Sequence, residues 1–257
     1  MAKPARKETH RPALPKALSL AGQRIVVTGA ASGIGHAAAL AAAELGARLL
    51  LVDRAPLAAL AAELQALGTE ADSIEGDLTD PAFLKRVVES GRVDGLAHCA
   101  GILYPSAKSR ARSRRDRFLE VMDINVRVPI ELGEALIEPM AAQGGGRIVM
   151  IGSVAGRTGG TTRSTPVDYA ASKGALHVIV RWLSRQAVGQ GVLVNGVAPG
   201  PIETPMTTGA KFDAALLPRG RMGRPEEIAW MVTMLLTPAA SFVSGAVLDV
   251  NGGGYVG

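Results

Sequence analysis

The feature that most constrains this chain is a glycine-spaced turn, Thr28-Gly29-Ala30-Ala31-Ser32-Gly33-Ile34-Gly35, set between a β-branched run and an Ala-rich one. Residues 24–28 (RIVVT) read as a strand, and residues 34–45 read as a helix closed by Gly46. The same alternation repeats along the chain. Strands are expected at 48–53, 72–76, 93–98, 147–151, 192–197 and 246–250, and helices at 56–67, 81–90, 113–142, 168–190, 203–217 and 225–236. Strand-helix alternation of this kind implies an α/β fold: a Rossmann-type, doubly wound parallel sheet with helices on both faces. No linker divides residues 21–257, so they read as one domain, preceded by a basic, Pro-containing extension over residues 1–20.

Composition narrows the classes. At 47% hydrophobic residues the chain is too apolar for disorder. No apolar run approaches the ~20 residues of a membrane span, and the first residues lack the apolar core of a signal peptide. The single cysteine, Cys99, excludes an internal disulfide and suggests a reducing, cytoplasmic setting. The net charge of +5 is unevenly spread. Residues 1–20 hold five cations against one acid, and residues 110–117 hold five arginines against Asp116, so the rest is mildly acidic. No aromatic residues interleave with these charges, which argues against nucleic acid as a partner. The arginine-rich segment reads either as a solvated helix face or as a patch for an acidic substrate or carrier. The four histidines have no metal-ligand spacing, so no metal is expected.

The turn has a chemical meaning. Glycines allow backbone to approach a pyrophosphate closely, and the helix N-terminus behind them offers free N–H groups. Asp53, at the end of the second strand, can accept hydrogen bonds from an adenosine ribose, and Asp77, after the third, can reach adenine. Tyr169 and Lys173 stand at i and i+4 on one helix face. A nearby ammonium is expected to lower the phenol's pKa and so prepare it for proton transfer. Ser153 follows a strand at the carboxyl edge of the sheet. Asn125 is a poor helix former inside a long helix and invites a functional reason.

Together these residues resemble the short-chain dehydrogenase/reductase family over about residues 20–257. The matching motifs are TGAASGIG at 28–35, Asp53, GDL at 76–78, AG at 100–101, Asn125, GSVAG at 152–156, YAASK at 169–173, NGVAPGPIET at 195–204 and DVNGG at 249–253. The resemblance implies an NAD-dependent oxidoreductase that interconverts a secondary alcohol and a ketone. It implies that Tyr169 exchanges a proton with the substrate oxygen, that Lys173 tunes Tyr169 and bonds the nicotinamide ribose, that Ser153 orients the reacting oxygen, and that Asn125 supports a water relay. It also implies that Gly29, Ser32, Gly33, Ile34 and Gly35 hold the pyrophosphate. Asp77, Leu78, Ala100 and Gly101 would run along the cofactor, and Pro199, Gly200, Ile202 and Thr204 would line the nicotinamide. A homotetramer acting on a small-molecule alcohol or ketone follows from the same resemblance.

Two departures stand out. His98-Cys99-Ala100-Gly101 replaces the family's Asn-Asn-Ala-Gly, which is expected to loosen that strand end, and the loop at 159–166 is slightly long. A 3-oxoacyl thioester reductase remains the alternative enzyme, and a catalytically silent nucleotide sensor the non-enzymatic one. Residues 204–222 are expected to cover the substrate, with Met206, Phe212, Leu216 and Leu217 as an apolar lining.

Overall fold

The computed structural model describes residues 15–104, 113–160, 165–208 and 217–257. Seven parallel strands form one sheet in the order β3-β2-β1-β4-β5-β6-β7. They are β1 (Arg24–Thr28), β2 (Arg48–Asp53), β3 (Ala71–Glu75), β4 (Gly95–His98), β5 (Gly146–Ile151), β6 (Val192–Pro199) and β7 (Val247–Val250). The helices are α1 (Gly33–Glu44), α2 (Ala58–Ala66), α3 (Pro81–Val88), α4 (Arg114–Met122), α5 (Val128–Ala142), α6 (Ala155–Thr158), α7 (Val167–Ala187) and α8 (Pro225–Leu236).

The two-residue period of the strands divides the core. Ile25, Val27, Leu49 and Leu51 point to the side covered by α1, α2 and α8. Val26, Leu50, Leu96 and Ile148 point to the side covered by α3, α5 and α7. Both faces are buried, so the inner strands are apolar at nearly every position. The chain builds β1 to β3 outward in one direction, then returns past β1 to start β4. The carboxyl ends of β1 and β4 therefore meet at the point where strand order reverses, which is where doubly wound sheets open a crevice.

Three expectations are corrected. The single helix anticipated over 113–142 is broken in its middle by a π-helical turn, Asp123–Arg127, that joins α4 to α5. A helix was expected from residue 203, yet Thr204–Thr208 form a hydrogen-bonded turn: Thr207 donates its hydroxyl to the Ile202 carbonyl at 2.6 Å and accepts the Thr204 N–H at 3.1 Å. Side-chain hydrogen bonds of this kind compete with helix, and Pro205 cannot donate to one. The remainder of that stretch, with Phe212 and Leu216, lies outside the described residues. Finally, the β4 end is not loosened by the loss of the family's asparagines. Thr28 shares a 2.9 Å hydrogen bond with His98 Nδ1 and accepts the Ala100 N–H at 3.2 Å, tying β4 to β1.

Of the N-terminal extension, residues 1–14 and their basic charge lie outside the described residues. Lys16–Leu18 make one 3-10 turn, and Leu20 is fully buried, its N–H bonded to the Leu45 carbonyl at 2.8 Å.

His98 and His177 are buried, and burial holds them neutral, near pKa 3 and 4 respectively; the charge of Lys173 pushes His98 further, and those of Arg157 and Arg181 push His177. Unfolding frees each to titrate near 6.5. Their contribution to stability is therefore present above about pH 6.5 and is lost as pH falls toward 4 and below. Urea unfolding should show stability declining across that window, and His98→Asn should flatten part of the slope; an unchanged slope would contradict the assignment.

Candidate active site

One cleft of about 1000 Å³ opens along the carboxyl edge of the sheet. Its adenosine end is built by the turn after β1. Gly29 has φ +67°, and a Cβ there would lie 2.8 Å from the Ala100 backbone nitrogen. A Cβ on Gly35 would lie 2.0 Å from the Gly29 carbonyl oxygen. Only glycine permits either approach. Ser32, at the N-cap of α1, makes no capping hydrogen bond, and the first turn of α1 carries no acid. Its first N–H groups are thus left for an anion, so these residues fit the pyrophosphate of a dinucleotide.

Asp53 stands at the end of β2 and lines the cleft. One of its oxygens accepts the Ala31 N–H at 3.0 Å, the other the Ala55 N–H at 2.9 Å. The carboxylate therefore also braces the phosphate turn. Asp77 lines the cleft and accepts the Thr79 N–H and hydroxyl at 2.9 and 2.8 Å.

At the other end, β5 leads to Ser153 and then to the short helix α6, which crosses α7. The crossing depends on Gly156, where a Cβ would lie 2.6 Å from the Gly174 nitrogen. Side-chain contacts of any size would push α7 away from Ser153. The Ser153 hydroxyl accepts the Ala155 N–H at 3.1 Å and lines the cleft with Tyr169, whose phenol it pulls down in pKa. Lys173 is buried, with Nζ donating to the Ile151 carbonyl at 2.8 Å and standing 5.8 Å from the Tyr169 ring centroid.

Asn125 sits in the π turn and is 2% exposed. Its Oδ1 accepts the Ile102 N–H at 2.8 Å, and its Nδ2 donates to the Ile102 carbonyl and to Ser172 Oγ, both at 3.0 Å. Ser172 in turn donates to the Tyr169 carbonyl at 2.7 Å. Asn125 does not line the cleft; it straps the chain after β4 to the helix that carries Tyr169 and Lys173. A π turn gives the side chain an orientation that regular α-helix would not, and such turns recur at functional sites.

The structure brings Ser153, Tyr169, Lys173, Gly29, Ser32, Gly33, Ile34, Gly35, Asp53, Asp77, Leu78, Ala100, Gly101, Pro199, Gly200, Ile202 and Thr204 onto the wall of this one cleft. Met206 also lines it, whereas Leu217 does not. Sequence reasoning missed Ile102, whose role lies in its backbone, and Ser172, although a serine inside a helix next to Lys173 is a signal of the kind that drew attention to Asn125.

One expectation is reversed. Burial raises the Tyr169 phenol above its ordinary value, and the Ser153 hydroxyl only partly offsets that rise. Lys173 directs its charge to the Ile151 carbonyl, and burial holds it down to about 8. Among the described residues no cluster of His, Cys, Asp or Glu could hold a metal, and no helix is long and apolar enough to cross a membrane.

Comparison with known proteins agrees with this geometry. A family model described as enoyl-(acyl carrier protein) reductase matches residues 29–254. The 3-oxoacyl-[acyl-carrier-protein] reductase of Salmonella typhimurium is 33% identical over 249 residues, covering 93% of this chain and all of the relative. Galactitol 2-dehydrogenase (L-tagatose-forming) of Cereibacter sphaeroides is 37% identical over 248 residues, covering 91% of this chain and 95% of the relative. A solved structure from Beutenbergia cavernae, described as an NAD(P)-dependent gluconate 5-dehydrogenase with NADP bound at low occupancy, superposes with a TM-score of 0.85 at 36% identity, covering 93% of this chain and 98% of that one. A nucleotide-binding crevice at the strand-order reversal and a Ser-Tyr-Lys group beside it define an oxidoreductase acting on CH–OH and keto groups with NAD(P). The chain belongs to the short-chain dehydrogenase/reductase family.

Proposed function

We propose that this chain interconverts a secondary alcohol and a ketone with NAD, using Ser153, Tyr169 and Lys173, with Asn125 as the support behind them. The observation that carries the reading is the convergence of the Ser153 hydroxyl, the Tyr169 phenol and the Lys173 ammonium at the end of the cleft opposite the glycine turn. The nicotinamide, when bound, supplies or accepts the hydride. The chain's own part is to hold the substrate and to move one proton. Ser153 orients the reacting oxygen, and Tyr169 gives it a proton in reduction or takes its proton in oxidation. Lys173 would bond the nicotinamide ribose, and its positive charge favours the phenolate form of Tyr169. Asn125 keeps Ile102 and Ser172 in register with Tyr169 and supports a water relay. Pro199, Gly200, Ile202 and Thr204 flank the nicotinamide, and Leu78, Ala100 and Gly101 the adenosine side.

A second reading, reduction of 3-oxoacyl thioesters, draws support from the 33% identical Salmonella typhimurium reductase. The galactitol dehydrogenase, at 37%, supports the first. A homotetramer fits the exposed apolar side chains Phe118 and Leu119 on α4 and Val178 and Trp182 on α7, which a second copy would cover. A cytoplasmic setting fits the lone thiol Cys99, which burial pushes up to about 12 and so keeps unreactive. Residues 1–20 are read as an extension to a catalytic domain over 21–257.

Tyr169→Phe is expected to lower kcat at least a hundredfold, the usual effect of losing a positioned acid or base. NADH titration by fluorescence should show cofactor affinity within a few-fold of wild type; retention of more than about a hundredth of kcat would overturn the role.

The preference for NAD rests on Asp53. Its two oxygens already hold backbone N–H groups, and each keeps acceptor capacity for a ribose hydroxyl. A 2′-phosphate about 4 Å away would be repelled by roughly 4 kcal/mol at an effective dielectric of 20. Exposed Arg54, which also lines the cleft, offsets part of this, and the Beutenbergia cavernae structure carries NADP. The expected ratio of kcat/KM for NAD over NADP exceeds one and falls in Asp53→Ala; a wild-type ratio at or below one would reverse the preference.

A further inference from the structure

We propose that Arg127 is a positioning residue for the adenosine half of the cofactor. It holds the loop after β3, residues 76–80, against the π turn, so that nucleotide affinity depends on a side chain outside the cleft. The proposal rests on the reading that Asp77 and Leu78 flank the adenosine. Asp77, Leu78 and Thr79 line the cleft, and Arg127 does not.

Arg127 is the last residue of the π turn Asp123–Arg127. Its Nε donates to Asp123, four residues before it, and its Nη1 donates to Glu131, four residues after it, at 2.6 Å. A guanidinium is planar and carries its N–H groups in a fixed fork, so two carboxylates on one helix face set its plane. The remaining nitrogen, Nη2, is thereby directed off the helix and donates to the Thr79 carbonyl at 2.8 Å. Both ion pairs are partly exposed, so they add little to stability. What they supply is the orientation of the third bond.

The loop depends on that bond for its place in the cleft wall. Its other hydrogen bonds are local or run to β2. Gly76 N–H bonds the Asp53 carbonyl at 2.8 Å, and Asp80 N–H bonds the Asp77 carbonyl at 3.0 Å. Asp77 accepts from Thr79, and Asp80 caps α3 by accepting the Ala82 N–H at 2.9 Å. Among the described residues, Arg127 makes the one hydrogen bond that reaches the loop from the half of the sheet carrying Tyr169. The same π turn seats Asn125, which bonds Ile102 and Ser172. Five residues of helix thus face the adenosine end through Arg127 and the reacting end through Asn125.

Removing Arg127 would also strip the cation from Asp123, which lines the cleft. Lysine separates the two effects. It keeps a positive charge beside Asp123 and Glu131, but its donors sit on one nitrogen and cannot span three acceptors placed around a planar fork.

The test is binding to the full chain. NADH is titrated by fluorescence, and ADP-ribose, which lacks the nicotinamide, is titrated in competition with it. Arg127→Lys and Arg127→Met are each expected to weaken both ligands by the same factor, about tenfold, the size of one lost charge-assisted hydrogen bond. Misfolded protein lowers the amplitude of such a titration and leaves its midpoint, so the affinities stay readable. Unchanged affinities in Arg127→Met overturn the proposal. Wild-type affinities in Arg127→Lys also overturn it, because charge alone would then suffice. A loss for NADH that ADP-ribose does not share overturns it as well, because the effect would lie at the nicotinamide. Asp77→Ala tests the reading beneath. If it weakens both ligands, that reading stands whatever the Arg127 variants do; if it leaves both affinities unchanged, the loop is not the adenosine wall and reading and proposal fall together.

Discussion

The contact on which the rest of the site depends is the meeting of the β1 and β4 carboxyl ends. Gly29 lies so close to Ala100 that no side chain fits between them, and Thr28 ties His98 and Ala100 to the same spot. From that junction two chains leave in opposite roles. One becomes the glycine turn and the N-terminus of α1, with backbone N–H groups open to an anion. The other runs through Gly101 to Ile102, where Asn125 holds it against Ser172 and so against the Tyr169 turn of α7. The distance between the glycine turn and the Tyr169 turn of α7 is thereby set by backbone and short side chains, which have few rotamers to lose.

Burial does much of the electrostatic work at the reacting end. It raises Tyr169, lowers Lys173 to about 8 and keeps His98 neutral. The phenol is therefore protonated at neutral pH in the ligand-free chain, which suits donation of a proton to a ketone. In the oxidising direction the proposed role of Tyr169 needs the deprotonated phenol, so rate should rise with pH as that fraction grows. Ser153 opposes the upward shift of the phenol, and Gly156 lets α6 and α7 pack closely beside it.

Much of this was legible in the sequence because backbone demands leave residue-type signatures. The glycine turn, the two-period apolar strands and the Tyr-x-x-x-Lys spacing each reflect one local constraint, and together they placed the sheet, the crevice and most of its wall. Asn125 was visible as a misfit in a helix, but the π turn that seats it was not, since the neighbours Asp123 and Arg127 are ordinary helix residues whose ion pair shows only in space. Ile102 acts through its N–H and carbonyl and so carries no side-chain signal. The sign of the Tyr169 shift was also out of reach, because it depends on how deeply the phenol is buried and on Lys173 turning to Ile151. The turn at Thr204–Thr208 was hidden by side-chain-to-backbone bonds that spacing does not encode.

The central claim is that Tyr169 is the proton-transfer group and that Ser153 tunes it directly. The most direct measurement is the pH dependence of kcat/KM for alcohol oxidation in wild type and in Ser153→Ala, with cofactor saturating. The account predicts that the apparent pKa governing the rise in rate moves upward in Ser153→Ala, because the hydroxyl that pulls the phenol down is gone while the burial that raises it remains. A lower maximal rate with an unshifted or downward-shifted profile would contradict it.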